Sequence, residues 1–110
     1  MTDRELLELA AKAAGYRVYG WINDKLYVIN GPNPAEYYDP FSWNPLSDDG
    51  DALRLACDCY IGIEFRSGYV IADGPQDAAA EEFKDGDRRA ATRCAIVRAA
   101  AEIGKATEPE

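Results

Sequence analysis

Histidine is missing from this chain of 110 residues, and methionine, tryptophan and cysteine occur once, twice and three times. Without imidazole the chain lacks the side chain that most readily moves protons near neutral pH and the commonest nitrogen ligand for metals. Three thiols fall one ligand short of a closed structural zinc site, so no metal and no cofactor is expected. An odd cysteine count behind an N-terminus without a signal-peptide pattern suits a reducing cytoplasm. No apolar run approaches the roughly 20 residues of a membrane span, so no membrane partner is expected. Positive charge is also scarce: 12 Lys and Arg stand against 20 Asp and Glu, a net charge of −8. That balance argues against direct capture of nucleic acid or anionic lipid.

What is present is enough apolar material for one core, with 47% hydrophobic and 29% charged residues. The expectation is a single domain over 1–104 and a flexible tail over 105–110. Thr2 and Glu5 form a Thr-x-x-Glu capping box that opens a helix to about Ala14, and Gly15 ends it. From Tyr16 the apolar period changes to two. Val18 and Ile22 point one way and Tyr19 and Trp21 the other. Asn23-Asp24-Lys25 turns the chain into Leu26-Tyr27-Val28-Ile29. Pro32 and Pro34 stop that strand, because proline cannot extend a ladder. A long loop then runs to Pro45.

Ser47-Asp48-Asp49-Gly50-Asp51 supplies oxygens and negative charge for a helix start, carried on by Ala52, Leu53 and Ala56 to about Cys57. A second hairpin follows, Tyr60 to Phe65 returning through Tyr69 to Ala72. Ala78 to Phe83 reads as a short helical turn. The final helix repeats apolar Ala90, Ala91, Cys94, Val97, Ala100 and Ile103 at spacings of three and four, and Gly104 is its expected stop. The order is α-ββ-α-ββ-α: an α+β, single-domain layered α/β/α sandwich with a mainly antiparallel four-stranded sheet. Val18, Ile22, Val28, Ile61, Ile63 and Phe65 would form its apolar face, and Tyr19, Trp21, Tyr27, Tyr60 and Tyr69 the other. Hairpin, loop and helix occur twice, at 16–57 and 60–103, without an evident residue-level repeat.

Four groups of residues are candidates for function. Cys57, Cys59 and Cys94 read as packing thiols. Asp48 to Asp51 lacks the twelfth-position glutamate of a calcium loop and reads as N-cap chemistry. Tyr37, Tyr38 and Trp43 lie in a loop rich in aromatics, residues that give large contact area at low entropic cost; they are interface anchors or, for Trp43 above all, pins that hold the loop to the sheet. Between 73 and 87 six acids, including Asp77, Glu81, Glu82 and Asp85, stand against Lys84 alone, an acidic stretch able to capture a basic partner. Arg88, Arg89 and Arg93 follow and could meet the phosphate of a small ligand. Glu64 is the one carboxylate in an alternating strand that could serve as an acid, and no catalytic partner for it is evident; a non-enzymatic protein is expected.

The run Phe41-Ser42-Trp43-Asn44-Pro45-Leu46-Ser47-Asp48-Asp49-Gly50-Asp51-Ala52-Leu53-Arg54-Leu55-Ala56, with Arg88-Arg89-Ala90 and Ala95 to Gly104, resembles the phage alpha-beta-alpha sandwich domain family. The resemblance covers most of the chain, including the opening Thr-Asp-Arg-Glu-Leu-Leu-Glu. It implies the layered fold, no established activity, and a phage or prophage protein in the cytoplasm of a bacterial host. The leading expectation is therefore a small acidic accessory protein that binds a host or phage protein with a basic surface and inhibits a defence or regulatory factor. The alternatives are a nucleotide-type ligand binder and an uncharacterised enzyme.

Overall fold

Small residues decide how close the elements of this protein come together. In the computed structural model, which describes residues 1–31, 33 and 35–107, the longest element is a helix over Arg88–Ala106, α3. It is buried at Ala91, Ala95, Ile96, Val97, Ala99, Ala100, Ala101 and Gly104, wider than one amphipathic stripe. A helix apolar on several sides sits inside rather than on the surface. The first helix, α1 (Asp3–Ala13), the second, α2 (Asp49–Asp58), and a sheet all pack against α3. At Gly104 the approach is tightest, because an added Cβ would fall within contact of the Leu9 carbonyl and Cα. The expected stop at Gly104 is corrected: the helix runs on to Ala106, and the glycine is there for the α1 crossing.

The sheet is also corrected. Instead of one four-stranded sheet there are two three-stranded antiparallel ones, in the orders β1-β2-β3 and β4-β5-β6. The first joins β1 (Arg17–Ile22), β2 (Lys25–Ile29) and a two-residue β3 (Phe41–Ser42) from the long loop. The second joins β4 (Gly62–Arg66), β5 (Tyr69–Asp73) and β6 (Ala78–Glu82). Segment 78–82 is thus a strand and not a helical turn. Pairing with β5 overrides the helix preference of three alanines, and Ala79, beside Ala72, is small enough to lie buried in the core. The class is α+β, with three α-helices among the described residues, and one hydrophobic cluster draws on the helices and both sheets.

A register shift between Val18 and Gly20 resets the pattern of β1. A bulge adds one residue and moves later side chains to the opposite face. Trp21 therefore pairs with buried Leu26, and Ile22, expected inside, is exposed. The Trp21 indole N–H donates to Glu8 at 2.7 Å, while the Arg4 guanidinium lies 4.4 Å from the ring centroid. Tyr60 belongs to no strand; it has φ 58° and is exposed.

The two hairpins belong to a duplicated unit of helix, left-handed reversal and three-stranded meander. Gly15 (φ 84°) and Tyr60 make the reversals, followed by the same bond, Tyr16 N to Ala11 O and Ile61 N to Ala56 O, each 2.9 Å. Buried Leu26 and Val28 of β2 match buried Val70 and Ala72 of β5. Each unit leads into an aspartate-capped helix, with Asp48 accepting from Asp51 N and Asp87 from Ala90 N. The capping box of Thr2 and Glu5 and the end of α1 at Gly15 stand as expected. No described helix is long and apolar enough to cross a membrane. Pro32, Pro34 and tail residues 108–110 lie outside the described residues.

Gly104→Ala places a methyl group against backbone that cannot rotate away. Alanine favours a helix by about 1 kcal/mol over glycine, yet overpacking costs about 1–3 kcal/mol. We expect a lower melting temperature for Gly104→Ala, whereas Ala106→Gly, at the exposed end of the helix, should cost about 1 kcal/mol or less.

Candidate functional site

A cleft of about 590 Å³ lies where α2, β4 and the start of α3 meet. Its apolar wall combines Leu53 of α2, Ile63 and Phe65 of β4, Phe83 after β6, and Ile96 of α3. Phe65 points to the same side of its sheet as Val70 and Ala72, yet is 59% exposed, because β4 is an edge strand overhanging the helices. Arg88 and Arg89 form the rim, and Arg66, Ser67 and Gly68 of the β4–β5 turn face them. The volume lies within the usual range for small-molecule sites, about 300–1,000 Å³.

Arg88 and Arg89 occupy the first turn of α3, which contains no acid, behind the Asp87 cap. The helix dipole concentrates positive potential at that end, so two cations there are placed against the ordinary preference. Arg88 lies over the Phe83 ring, 5.9 Å from its centroid, and Arg89 forms no ion pair or hydrogen bond among the described residues. Arg93 differs. It bonds the Leu46 carbonyl at 2.8 Å and Asp49 at 2.6 Å, tying α3 to the start of α2. Of the three arginines named from the sequence, two are free to meet a ligand and one is a structural tie at the cleft wall.

The acidic stretch divides in the same way. Glu81 turns inward from β6, pairs with Arg98 and accepts from the Cys94 thiol at 3.2 Å. Asp77 accepts from its neighbour Ala78 N at 2.9 Å. Glu82 and Asp85 are exposed, and Asp85 adopts φ 54° in the single 3₁₀ turn before α3. Of the four acids, Asp77, Glu82 and Asp85 present open carboxylates.

The aromatic loop is not one surface. Trp43 is 3% exposed; it bonds Leu26 O through its backbone N–H and meets Tyr16 edge-on at 5.5 Å. It is a core residue, which corrects its reading as an interaction anchor. Tyr38 is half-buried, its ring against Gly31 and its hydroxyl donating to Glu36 at 3.0 Å. Tyr37 is 81% exposed, and its hydrogen bond to Asp39 pushes the phenol pKa up. It alone of the three is open to a partner.

The cysteines are likewise distinct: Cys57 is exposed, Cys59 is buried, and Cys94 is intermediate. Burial, then the hydrogen bond to Glu81, pushes the Cys94 thiol up to about 11. Burial raises Cys59 as well. Expecting all three as packing thiols holds for two and fails for Cys57, which α2 turns outward. Glu64 lies exposed beside Arg66 at 2.7 Å, on the sheet face away from buried Val70 and Ala72. The apolar half of the cleft was missed in the sequence. Its signal was the pair Ile63 and Phe65 facing a helix of only 10 residues.

No protein-family model, curated protein or solved structure matches the chain.

Truncating a buried indole removes packing and leaves a cavity, so Trp43→Ala should lose about 3–5 kcal/mol in urea unfolding. A thiol-disulfide reagent at pH 8 should label Cys57 first, with Cys59 and Cys94 lagging, because only the thiolate attacks. Cys94 holds its proton more tightly folded than unfolded. Its contribution is therefore complete below about pH 9 and is lost as pH rises toward about 11. Cys94→Ser keeps a donor to Glu81 without titrating in that range, so its melting temperature should fall less over this window than that of the unmodified protein.

Proposed function

We propose that this protein is a non-catalytic binder of a small anion with a flat apolar body, of the nucleotide type, held in the cleft between α2, β4 and α3. The observation that carries the reading is the pairing of two arginines at a helix N-terminus with an unfilled wall of Phe65, Phe83, Leu53 and Ile63. A ring can stack on the phenylalanines while its phosphate or carboxylate meets Arg88 and Arg89 in charge-assisted hydrogen bonds. The net charge of −8 does not forbid this. Charges beyond a Debye length of about 8 Å are largely screened at physiological salt, so the local cations dominate.

The stacking residues differ from the sequence expectation: phenylalanine takes the part given to tyrosine and tryptophan. The resemblance to the phage alpha-beta-alpha sandwich family supports a phage or prophage setting in a bacterial cytoplasm, where such a binder would sequester a small signalling or metabolic anion. The second reading, inhibition of a basic host protein, is favoured by the exposed carboxylates of Asp77, Glu82 and Asp85, of which Glu82 lies across from exposed Tyr69.

Ligand binding raises the melting temperature by mass action. Nucleoside mono- and diphosphates and an anilinonaphthalene sulfonate dye, each at millimolar concentration, should raise it for the unmodified protein. Arg89→Ala and Phe65→Ala should each weaken the best of these about tenfold or more, since a hydrogen bond to a charged group contributes about 1.5–3 kcal/mol. Arg54→Ala, outside the cleft, should leave binding unchanged. No shift with any of these anions rejects the reading.

A further inference from the structure

A sheet edge invites pairing, and natural edges are blunted by bulges, short length, charge or covering groups. Three of the four edges here are blunted. β1 carries the bulge after Val18, β3 is two residues long, and at β6 Arg98 reaches the Ala80 carbonyl from α3. The fourth, β4, is neither short nor bulged: its five residues pair with β5 in unbroken register, all are exposed, and its two charges, Glu64 and Arg66, are of opposite sign and pair with each other. Its helix-facing side bears Ile63 and Phe65, 37% and 59% exposed.

The charges on β4 are self-complementary. Glu64 and Arg66 share the opposite face, two residues apart, and pair within the strand at 2.7 Å. In an antiparallel pair of identical strands with Phe65 opposite Phe65, each Glu64 lies opposite Arg66 of the second copy. That arrangement is isologous, as a two-fold dimer requires. Directly opposed charges of opposite sign and aromatic pairs each stabilise a sheet, while like charges opposed destabilise it.

We propose that β4 is a homodimerisation edge, two copies pairing antiparallel with Phe65 facing Phe65 and Glu64 facing the partner's Arg66. The two sheets then continue as one of six strands, and both clefts open on the same side because cross-strand partners share a face. This does not rest on the ligand reading: Arg66 borders the cleft, but Glu64 does not, and the edge would pair whether or not the cleft holds an anion.

Sedimentation velocity of the unmodified protein, from micromolar to about 100 µM, should show a dimer forming by mass action. Glu64→Arg and Arg66→Glu each oppose like charges across the pair and should weaken the dimer at least tenfold. The double variant Glu64→Arg/Arg66→Glu reverses both charges, restores complementarity and should restore the dimer. Both positions are about half exposed, so circular dichroism and melting temperature should match the unmodified protein. A monomer throughout the range, single variants that dimerise unchanged, or a double variant that stays monomeric would each overturn the proposal. Phosphate-ligand binding measured on Glu64→Arg, the one variant outside the cleft lining, separates this failure from failure of the cleft reading, because it leaves Arg66, Arg88 and Arg89 in place.

Discussion

The close approach of α1 to α3 is the constraint on which the other contacts depend. Ala10 and Ala11 of α1 and Ala99, Ala100, Ala101 and Gly104 of α3 are all buried, and only residues this small let helix backbones come so near. Individually such residues bury little area, so the gain comes from continuous contact without voids rather than from large side chains. Once α1 and α3 are set, the remaining elements have little freedom. Meander β4–β6 must present small residues, Ala72 and Ala79, where β5 and β6 lie along α3. Larger buried groups such as Leu26, Leu55 and Trp43 come from β2, α2 and the loop after β3.

The duplication explains why a cleft exists at all. Counting back from the reversals at Gly15 and Tyr60, Arg4 corresponds to Asp49 and Glu8 to Leu53; beyond the bulge, Trp21 corresponds to Phe65. In the first unit these positions make a closed stack, with the indole bonded to Glu8 and covered by Arg4. The second unit has a smaller ring, an apolar Leu53 that offers no hydrogen bond, and an Asp49 drawn away to Arg93. The slot filled by the protein's own tryptophan in one unit is therefore open in the other. An aromatic guest in the second slot would take the place that Trp21 takes in the first.

Local chemistry was readable wherever a short stretch of residues decides the outcome. The capping box at Thr2 and Glu5, the turn at Asn23 and Asp24, with φ 51° and 62°, and the helix start at Asp48 depend on neighbours within a few positions. What escaped is set by distant partners. The bulge in β1 is visible only against β2, and it alone decides that Trp21 is inside and Ile22 outside. Ala78 to Ala80 have high helix propensity, and nothing nearby says that β5 will claim them. The same reason divides the candidate residues. Trp43 and Tyr37 sit in one loop, and only the fold shows the first in the core and the second in solvent. The arginines at 88 and 89 were legible as a cationic pair, while Leu53, Ile63 and Phe65 of the apolar wall come from elements far earlier in the chain.

Electrostatics then joins the acidic composition to a cationic site. The acids are used locally before they act at long range: Asp48 and Asp87 cap helices, Glu81 holds Arg98, Asp49 holds Arg93, and Asp51 holds Arg54. Each such pair is nearly neutral at a distance and contributes little to the outer field. Arg88 and Arg89 are different because the first turn of α3 offers them no acid, and the helix dipole adds to their charge. Placing two cations there opposes the dipole by about 0.3–1 kcal/mol each, a cost that an anion in the cleft would reverse in sign. A local preference broken in this way, beside an apolar wall left open, is the pattern expected where binding rather than stability has set the residues.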